Sequence, residues 1–244
     1  MEQLDKLATA LLEAHRTGGT VAAAAFADLT REEAASIQLR VAQALGGPLT
    51  AAKIGMAADG TAMVAAIPNA MILQSGEALA QPVRPSGKLE VEVAVRLTKD
   101  LVSGSGADVR DCVGEFVMTI EVIGSRLDDR KAAGLWGPFA DAMVTAGLVI
   151  GSQSLDEDAG TPDGLPVSVL VDGQELLSAV AKHPFGGVLV PLQAFSDRKA
   201  PGLSSLPAGC VVTTGSLALV SIPDAGEVEA RLGSYEPVLF RVGR

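Results

Sequence analysis

Aromatic side chains are scarce in this chain: one Trp, one Tyr and six Phe amount to 3% of 244 residues. The core must therefore be assembled from Ala, Val, Leu and Ile, and a stacking platform for bases or single-stranded nucleic acid is not expected. Positive charge is short as well. With 19 Lys and Arg against 29 Asp and Glu, the formal charge of −10 repels nucleic acid and anionic membrane, so neither is expected as a partner. Cys112 and Cys210 are the two cysteines, far apart and outside any CxxC spacing; they read as buried thiols rather than a disulfide framework or a zinc knuckle. His15, on a helical surface pattern, and the isolated His183 are the two histidines, which nearly removes His-based zinc chemistry. The run Val21-Ala22-Ala23-Ala24-Ala25-Phe26 is too short to span a membrane, and the opening Met1-Glu2-Gln3-Leu4-Asp5-Lys6 lacks a basic leader region. A cytoplasmic location is the default expectation.

What is present is a chain with 48% hydrophobic and 20% charged residues, a balance that fits a globular enzyme or binding protein and argues against disorder. No Pro/Ser linker or charge block divides it, so one domain over 1–244 is expected, with a helical part over 1–48 and a β-rich part over 49–244. Leu4, Leu7, Leu11 and Leu12 repeat at helical spacing up to Gly18-Gly19. A second helix starts at Thr30, whose hydroxyl can cap the first turn while Glu33 reaches back, and its stripe of Ile37, Val41 and Leu45 ends at Gly46-Gly47. Further helices are predicted over 108–114, 135–145 and 188–195. Strands are predicted over 51–56, 62–67, 89–97, 116–123, 167–171, 210–220 and 227–232, with a tight turn at Asp172-Gly173. Helices come early and strands late, without regular alternation, which points to an α+β fold.

One segment stands out chemically: Lys88-Leu89-Glu90-Val91-Glu92-Val93-Ala94-Val95-Arg96-Leu97. On a strand, Glu90 and Glu92 point to one face and Val91, Val93 and Val95 to the other. Side by side, two carboxylates repel unless a cation lies between them. Glu121 is likewise the lone charge in an apolar run, Phe116 to Ile123, and a buried unpaired carboxylate costs several kcal/mol. Oxygen ligands without His or Cys suit Mg²⁺, Mn²⁺ or Ca²⁺. Spacing alone leaves two readings open, a hard-cation site and ion pairing of these acids to Arg96 and Arg126.

The run "KLEVEVAVRLTKDL" from Lys88 resembles the segment "K-x-E-x-E-[IV]-A-[FV]-x-L-x-[KR]-D-L" of the 2-keto-4-pentenoate hydratase and 4-oxalocrotonate decarboxylase family, part of the fumarylacetoacetate hydrolase superfamily. In the same order, "EEAASIQLRV" from Glu32 resembles "EDAYAIQ", "AKIGM" from Ala52 resembles "YKIGLT", "TIEVIGSRL" from Thr119 resembles "ALEIVDSRI", and "GCVVTTGSL" from Gly209 resembles "GDIVLTGAL". Together these segments reach over nearly the whole chain. The resemblance implies N-terminal helices packed on a mixed, multi-sheet β roll of the superfamily's C-terminal-domain type. It makes Glu90, Glu92 and Glu121 ligands of Mg²⁺ or Mn²⁺, turns Lys53 toward the substrate, and gives Thr214 and Gly215 to the substrate carboxylate. It also implies a symmetric homo-oligomer.

The activity implied is that of a metal-dependent lyase acting on a 2-oxo acid through an enolate, foremost hydration of a 2-hydroxypenta-2,4-dienoate-like compound. Alternatives are a 4-oxalocrotonate-type decarboxylase, a C–C bond hydrolase, and a non-catalytic protein that binds a keto acid or metal. Four departures bear on the substrate. Gln74 stands where the family supplies an aspartate, and Gly124 replaces the aspartate of "VDSR". Asp141-Ala142-Met143-Val144-Thr145-Ala146 takes the place of "DNASSG", and Met56-Ala57-Ala58-Asp59-Gly60 reads as a turn rather than a helix start. A polar shell replaced by Ala, Met, Val and Gly fits a more apolar or bulkier substrate.

Overall fold

A computed structural model describes residues 2–79 and 87–243. In chain order the elements are α1 (Glu2–Thr17), α2 (Arg31–Leu45), β1 (Ala51–Met56), β2 (Ala62–Ala66), β3 (Ile72–Gln74), β4 (Lys88–Leu97), β5 (Leu101–Val102) and β6 (Val113–Ile123). There follow α3 (Gly137–Ala140), β7 (Thr145–Leu155), β8 (Pro166–Val171), β9 (Gln174–Val180), α4 (Leu189–Asp197), β10 (Ser205–Leu206), β11 (Val211–Thr213), β12 (Ala218–Ser221), β13 (Gly226–Leu232) and β14 (Val238–Val242).

The principal sheet is mixed and curled, in the order β2-β1-β11-β4-β6-β7-β3, with β12 also pairing β4. β1 runs parallel to β11 and β3 parallel to β7, while the other pairs are antiparallel. The long central strands β4 and β6 arise from β-branched apolar runs that fit a pleated surface buried on both sides. One face of β4 and β6 carries Leu89, Val91, Val93 and Val95 with Met118, Ile120 and Val122, all buried in the main core. Into the same core pack Leu192 and Phe195 of α4 and the inner residues Val169, Val228 and Phe240 of a second, antiparallel sheet ordered β14-β13-β8-β9. Each such side chain removed from water contributes about 2 kcal/mol.

The N-terminal helices have a separate apolar cluster, in which Leu7, Leu11, Ile37 and Val41 meet Phe26, Leu127 and Phe139. The capping box forms as the sequence suggests: the Glu33 backbone N–H donates to the Thr30 hydroxyl at 3.3 Å, and the Thr30 N–H donates to the Glu33 carboxylate at 2.9 Å. Asp172 and Gly173, both with positive φ, close the two-residue hairpin between β8 and β9. Both cysteines are free and buried. No helix among the described residues is long and apolar enough to cross a membrane.

Several sequence expectations fail locally. The helix expected over 108–114 is a single 3₁₀ turn, Val109–Cys112, because β6 already begins at Val113. The helix expected over 135–145 shrinks to one turn, Gly137–Ala140, plus a left-handed kink before β7. The strand expected over 210–220 breaks into β11 and β12, which both pair with β4 and leave 214–217 looped out between them. β7 and β14 replace segments without a strand expectation; their alternation is blurred because β7 is buried along most of its length. His15 is buried against the fold rather than on a helix surface.

Candidate metal centre

Strand register builds the site. Glu90 of β4 is the direct partner of Glu121 of β6, and Glu92 is the partner of Thr119. On the other side of β4, Ala94 pairs with Thr213 of β11, which pairs in turn with Lys53 of β1. Cross-strand partners share a face, so all these side chains lie on the face opposite the main core. One carboxylate oxygen from each of Glu90, Glu92 and Glu121 falls within 4.8 Å of the other two. The two strands thus converge three acids on one point.

Lys53 enters the cluster from β1. Its Nζ lies 3.2 Å from Glu90 Oε2, 2.9 Å from Glu121 Oε2 and 3.0 Å from Glu121 Oε1. Thr145, at the start of β7, donates its hydroxyl to Glu121 Oε1 at 2.6 Å. A register shift between Val122 and Ile123 brings that hydroxyl back by one position toward Glu121. Glu92 and Glu121 are fully buried, whereas the Glu90 side chain keeps 20% of its exposure and marks the solvent side. A cavity of about 500 Å³ at the β3 edge, lined by Met71, Leu79 and Arg241 among others, includes none of these side chains.

Three carboxylates against one ammonium leave excess negative charge in a buried place. Burial pushes the Glu92 carboxyl up to about 8, the Glu121 charge adds to the push, and Lys53 opposes it. Glu121 is raised too, by burial first and by Glu90, with Lys53 and the Thr145 hydroxyl pulling the other way. Burial alone lowers the Lys53 ammonium, but Glu121, Glu90 and Glu92 outweigh it and raise its pKa. Thr213 damps the Glu92 shift, yet neither Glu92 oxygen, nor the hydroxyls of Thr119 and Thr213, has a hydrogen bond of good geometry. Buried polar atoms without partners are uncommon and costly. A cation coordinated by these oxygens removes both the repulsion and the orphaned lone pairs, so the residues present fit a hard divalent metal.

Neither Arg96 nor Arg126 pairs with these acids. Arg96 pairs with Glu115 at 2.6 Å, and Arg126 is engaged, fully buried, by Asp141. Arg126 also donates to the carbonyls of Thr145 at 2.6 Å and Asp141 at 2.9 Å. It thereby braces three successive residues with positive φ, Ala142 at 51°, Met143 at 52° and Val144 at 61°. An L-residue in that region costs about 1–2 kcal/mol, so the kink before β7 is strained and is held by the ion pair.

The remaining positions named from sequence are placed as follows. Thr214 is fully buried and Gly215 follows it in the loop opposite Val93 and Glu92, since β11 leaves β4 at Ala94 and Leu217 N rejoins it at the Val91 carbonyl, 2.8 Å away. Gln74 is exposed at the end of β3, outside the carboxylate cluster, and Gly124 donates its N–H to the Val144 carbonyl. Asp141 does not line the cluster, being spent on Arg126. The segment 56–60 is the β1–β2 turn, with Ala57 N donating to the Thr61 carbonyl. Sequence reasoning overlooked Thr119, Thr145, Thr213 and His183. The adjacent hydroxyls of Thr213 and Thr214, at the end of β11 and the start of the loop after it, were the one visible hint.

The fold is the one seen in solved structures of fumarylacetoacetate hydrolase type, as the sequence resemblance implied. Neither a family model nor a curated protein matches the chain by sequence. Among solved structures, it is similar to 4-oxalocrotonate decarboxylase from Pseudomonas putida G7, complexed with magnesium and adipate, with a TM-score of 0.80 at 18% identity over 99% of this chain and 98% of that one. The same enzyme complexed with calcium and acetate gives a TM-score of 0.78 over equal coverage. 2-Hydroxyhepta-2,4-diene-1,7-dioate isomerase from Mycobacterium marinum is less similar, with a TM-score of 0.57 at 17% identity over 80% of this chain and 75% of that one.

Proposed function

We propose that this protein is a divalent-metal-dependent lyase that acts on a 2-oxo acid by stabilising its enolate. The observation that carries the reading is the convergence of Glu90, Glu92 and Glu121 beside Lys53, with both Glu92 oxygens left without a partner. These three carboxylates would hold Mg²⁺ or Mn²⁺. When bound, the ion supplies Lewis-acid polarisation of a 2-oxo acid. Lys53 provides a fixed cation beside the reacting oxygens, since the carboxylates keep its ammonium charged. Thr145 holds the Glu121 carboxylate in one orientation through its 2.6 Å hydrogen bond. The Thr214 hydroxyl and the Gly215 N–H receive the substrate carboxylate at the loop between β11 and β12. Glu90, being partly exposed, lies on the side by which substrate enters.

The foremost reaction is hydration of a 2-hydroxypenta-2,4-dienoate-like compound to a 4-hydroxy-2-oxo acid. Likeness to a 4-oxalocrotonate decarboxylase along the whole chain supports a second reading, loss of CO₂ from a 4-oxalocrotonate-like acid, which uses the same enolate. Assays of purified protein with each compound, with Mg²⁺ or Mn²⁺ and with EDTA, decide the matter. Metal-dependent loss of the dienoate supports the hydratase, and CO₂ release the decarboxylase. Absence of turnover above that of Glu92→Gln with both compounds overturns the lyase reading.

A further inference from the structure

Thr214 is buried, and its Oγ1 makes one hydrogen bond among the described residues, to Nε2 of His183 at 3.3 Å. The His183 ring is itself only 2% exposed and lies between β9 and α4, in a turn that folds back around it. Its other nitrogen, Nδ1, receives two backbone N–H groups, from Phe185 at 3.3 Å and from Gly187 at 3.2 Å. Two donors cannot be aimed at a protonated nitrogen, so Nδ1 carries the lone pair. The proton of the neutral ring is then on Nε2, facing Thr214. Burial favours the neutral ring, against the charge of Asp163, whose carboxylate accepts the His183 backbone N–H at 2.6 Å.

The direction of the hydrogen bond has a consequence for Thr214. With Nε2–H donating, Oγ1 is the acceptor, and the hydroxyl proton of Thr214 remains unspent in a buried place. The same turn presses on the next residue. A Cβ at Gly215 would lie 2.7 Å from Pro184 Cγ and 3.3 Å from His183 Cε1, and the Gly215 φ of +149° suits glycine alone, so no side chain intervenes between this loop and the turn. The loop stands across from Glu92, where β11 and β12 part from β4.

We infer that His183 is a positioning residue: its buried ring, fixed as the Nε2–H tautomer by the amides of Phe185 and Gly187, orients the Thr214 hydroxyl as a donor to the carboxylate of a 2-oxo acid. The inference rests on the proposed reading of Thr214 as a carboxylate-binding residue and adds what sets its polarity. The same geometry leaves the imidazole no free nitrogen for proton transfer, since Nδ1 is taken by two backbone amides and Nε2 by Thr214.

Two measurements test it on the full chain. Two-bond ¹H–¹⁵N correlation spectra at pH 7, with His183 assigned by its loss in His183→Gln, are expected to show the neutral Nε2–H tautomer. An Nδ1–H tautomer or an imidazolium overturns the proposal. Calorimetric titration of the Mg²⁺-loaded protein with oxalate, a stable mimic of a 2-oxo acid enolate, should give about tenfold weaker binding for His183→Leu with Mg²⁺ affinity unchanged. His183→Gln, whose amide can still donate, should recover part of the loss. His183→Leu combined with Thr214→Val should bind no worse than Thr214→Val alone, since both remove one interaction. Oxalate binding by His183→Leu at the wild-type level, or additive losses in the double variant, overturns the positioning role. A wild-type protein that binds Mg²⁺ but not oxalate overturns the carboxylate role of Thr214 itself, which is a different failure.

Discussion

Glu90 and Glu121 face each other as cross-strand partners on β4 and β6, a juxtaposition of like charges in a sheet. Opposed carboxylates destabilise such a pair, and here the third acid, Glu92, is buried beside them with neither oxygen in a hydrogen bond of good geometry. Lys53 compensates in part. The arrangement gives up stability for a function, and that trade can be measured.

Glu92→Gln removes one charge while keeping the shape of the side chain. In the metal-free protein at about pH 9, above the pKa of about 8 at which the folded Glu92 carboxyl loses its proton, it should stabilise the fold by about 1 kcal/mol, read as a higher urea midpoint, because an unpaired buried charge is lost. In the presence of Mg²⁺ the order should reverse. Wild type at a metal concentration 100 times its Kd gains about 2.7 kcal/mol, and the variant gains almost nothing. Thermal melts with and without EDTA check both halves.

Stability of the metal-free protein should fall as pH rises from about 4.5 to about 8. In that window an unfolded Glu92 has already lost its proton, whereas in the folded protein the carboxyl, pushed up to about 8, still holds it. The folded state then binds more protons than the unfolded one, and the slope of stability against pH is negative. Glu121, raised in the same direction, adds to the slope. Metal binding at pH 7 should release protons, so Mg²⁺ affinity should climb with pH toward 8. Calorimetry in buffers of different ionisation heat counts the protons released.

Lys53→Met leaves Glu90 and Glu121 without their cation. A loss of about 3 kcal/mol is expected in the metal-free protein, as for other half-broken buried pairs. Added Mg²⁺ or Mn²⁺ should restore much of it, because the metal neutralises the same carboxylates. Turnover should stay absent, since the ammonium beside the substrate is gone. Denaturation curves with and without metal, set beside activity, separate the two roles.

The kink before β7 offers an independent test. Ala142→Gly relieves a φ of 51° at the cost of one small buried methyl, and should stabilise by up to about 1 kcal/mol. Arg126→Ala, by contrast, leaves the Asp141 charge and the Thr145 carbonyl buried without their donor, and should cost about 3–5 kcal/mol. Because Thr145 holds Glu121, Arg126→Ala should weaken Mg²⁺ affinity as well, which titration of the folded variant would show.

Much of the frame was legible from residue order. The Thr30 and Glu33 capping box, the Asp172-Gly173 turn and the alternation of Glu90 and Glu92 are local features, decided within a few residues of chain, and each forms as expected. β7 escaped notice because a strand buried on most of both faces loses its alternation. The break between β11 and β12 escaped because it arises where β4 accepts two partners in succession, a fact of pairing that no window of sequence contains.

The site divides in the same way. Sequence by itself determined that two carboxylates share a face and that a third is stranded in an apolar run, since period-two alternation is a property of the strand. Tertiary structure alone decided that Glu121 lies across from Glu90, that Lys53 reaches both, and that Arg96 and Arg126 are committed elsewhere. It also brought His183 onto Thr214, a contact spanning 31 residues. Alternation tells which way a side chain points, but register and the curl of the sheet determine what it meets there.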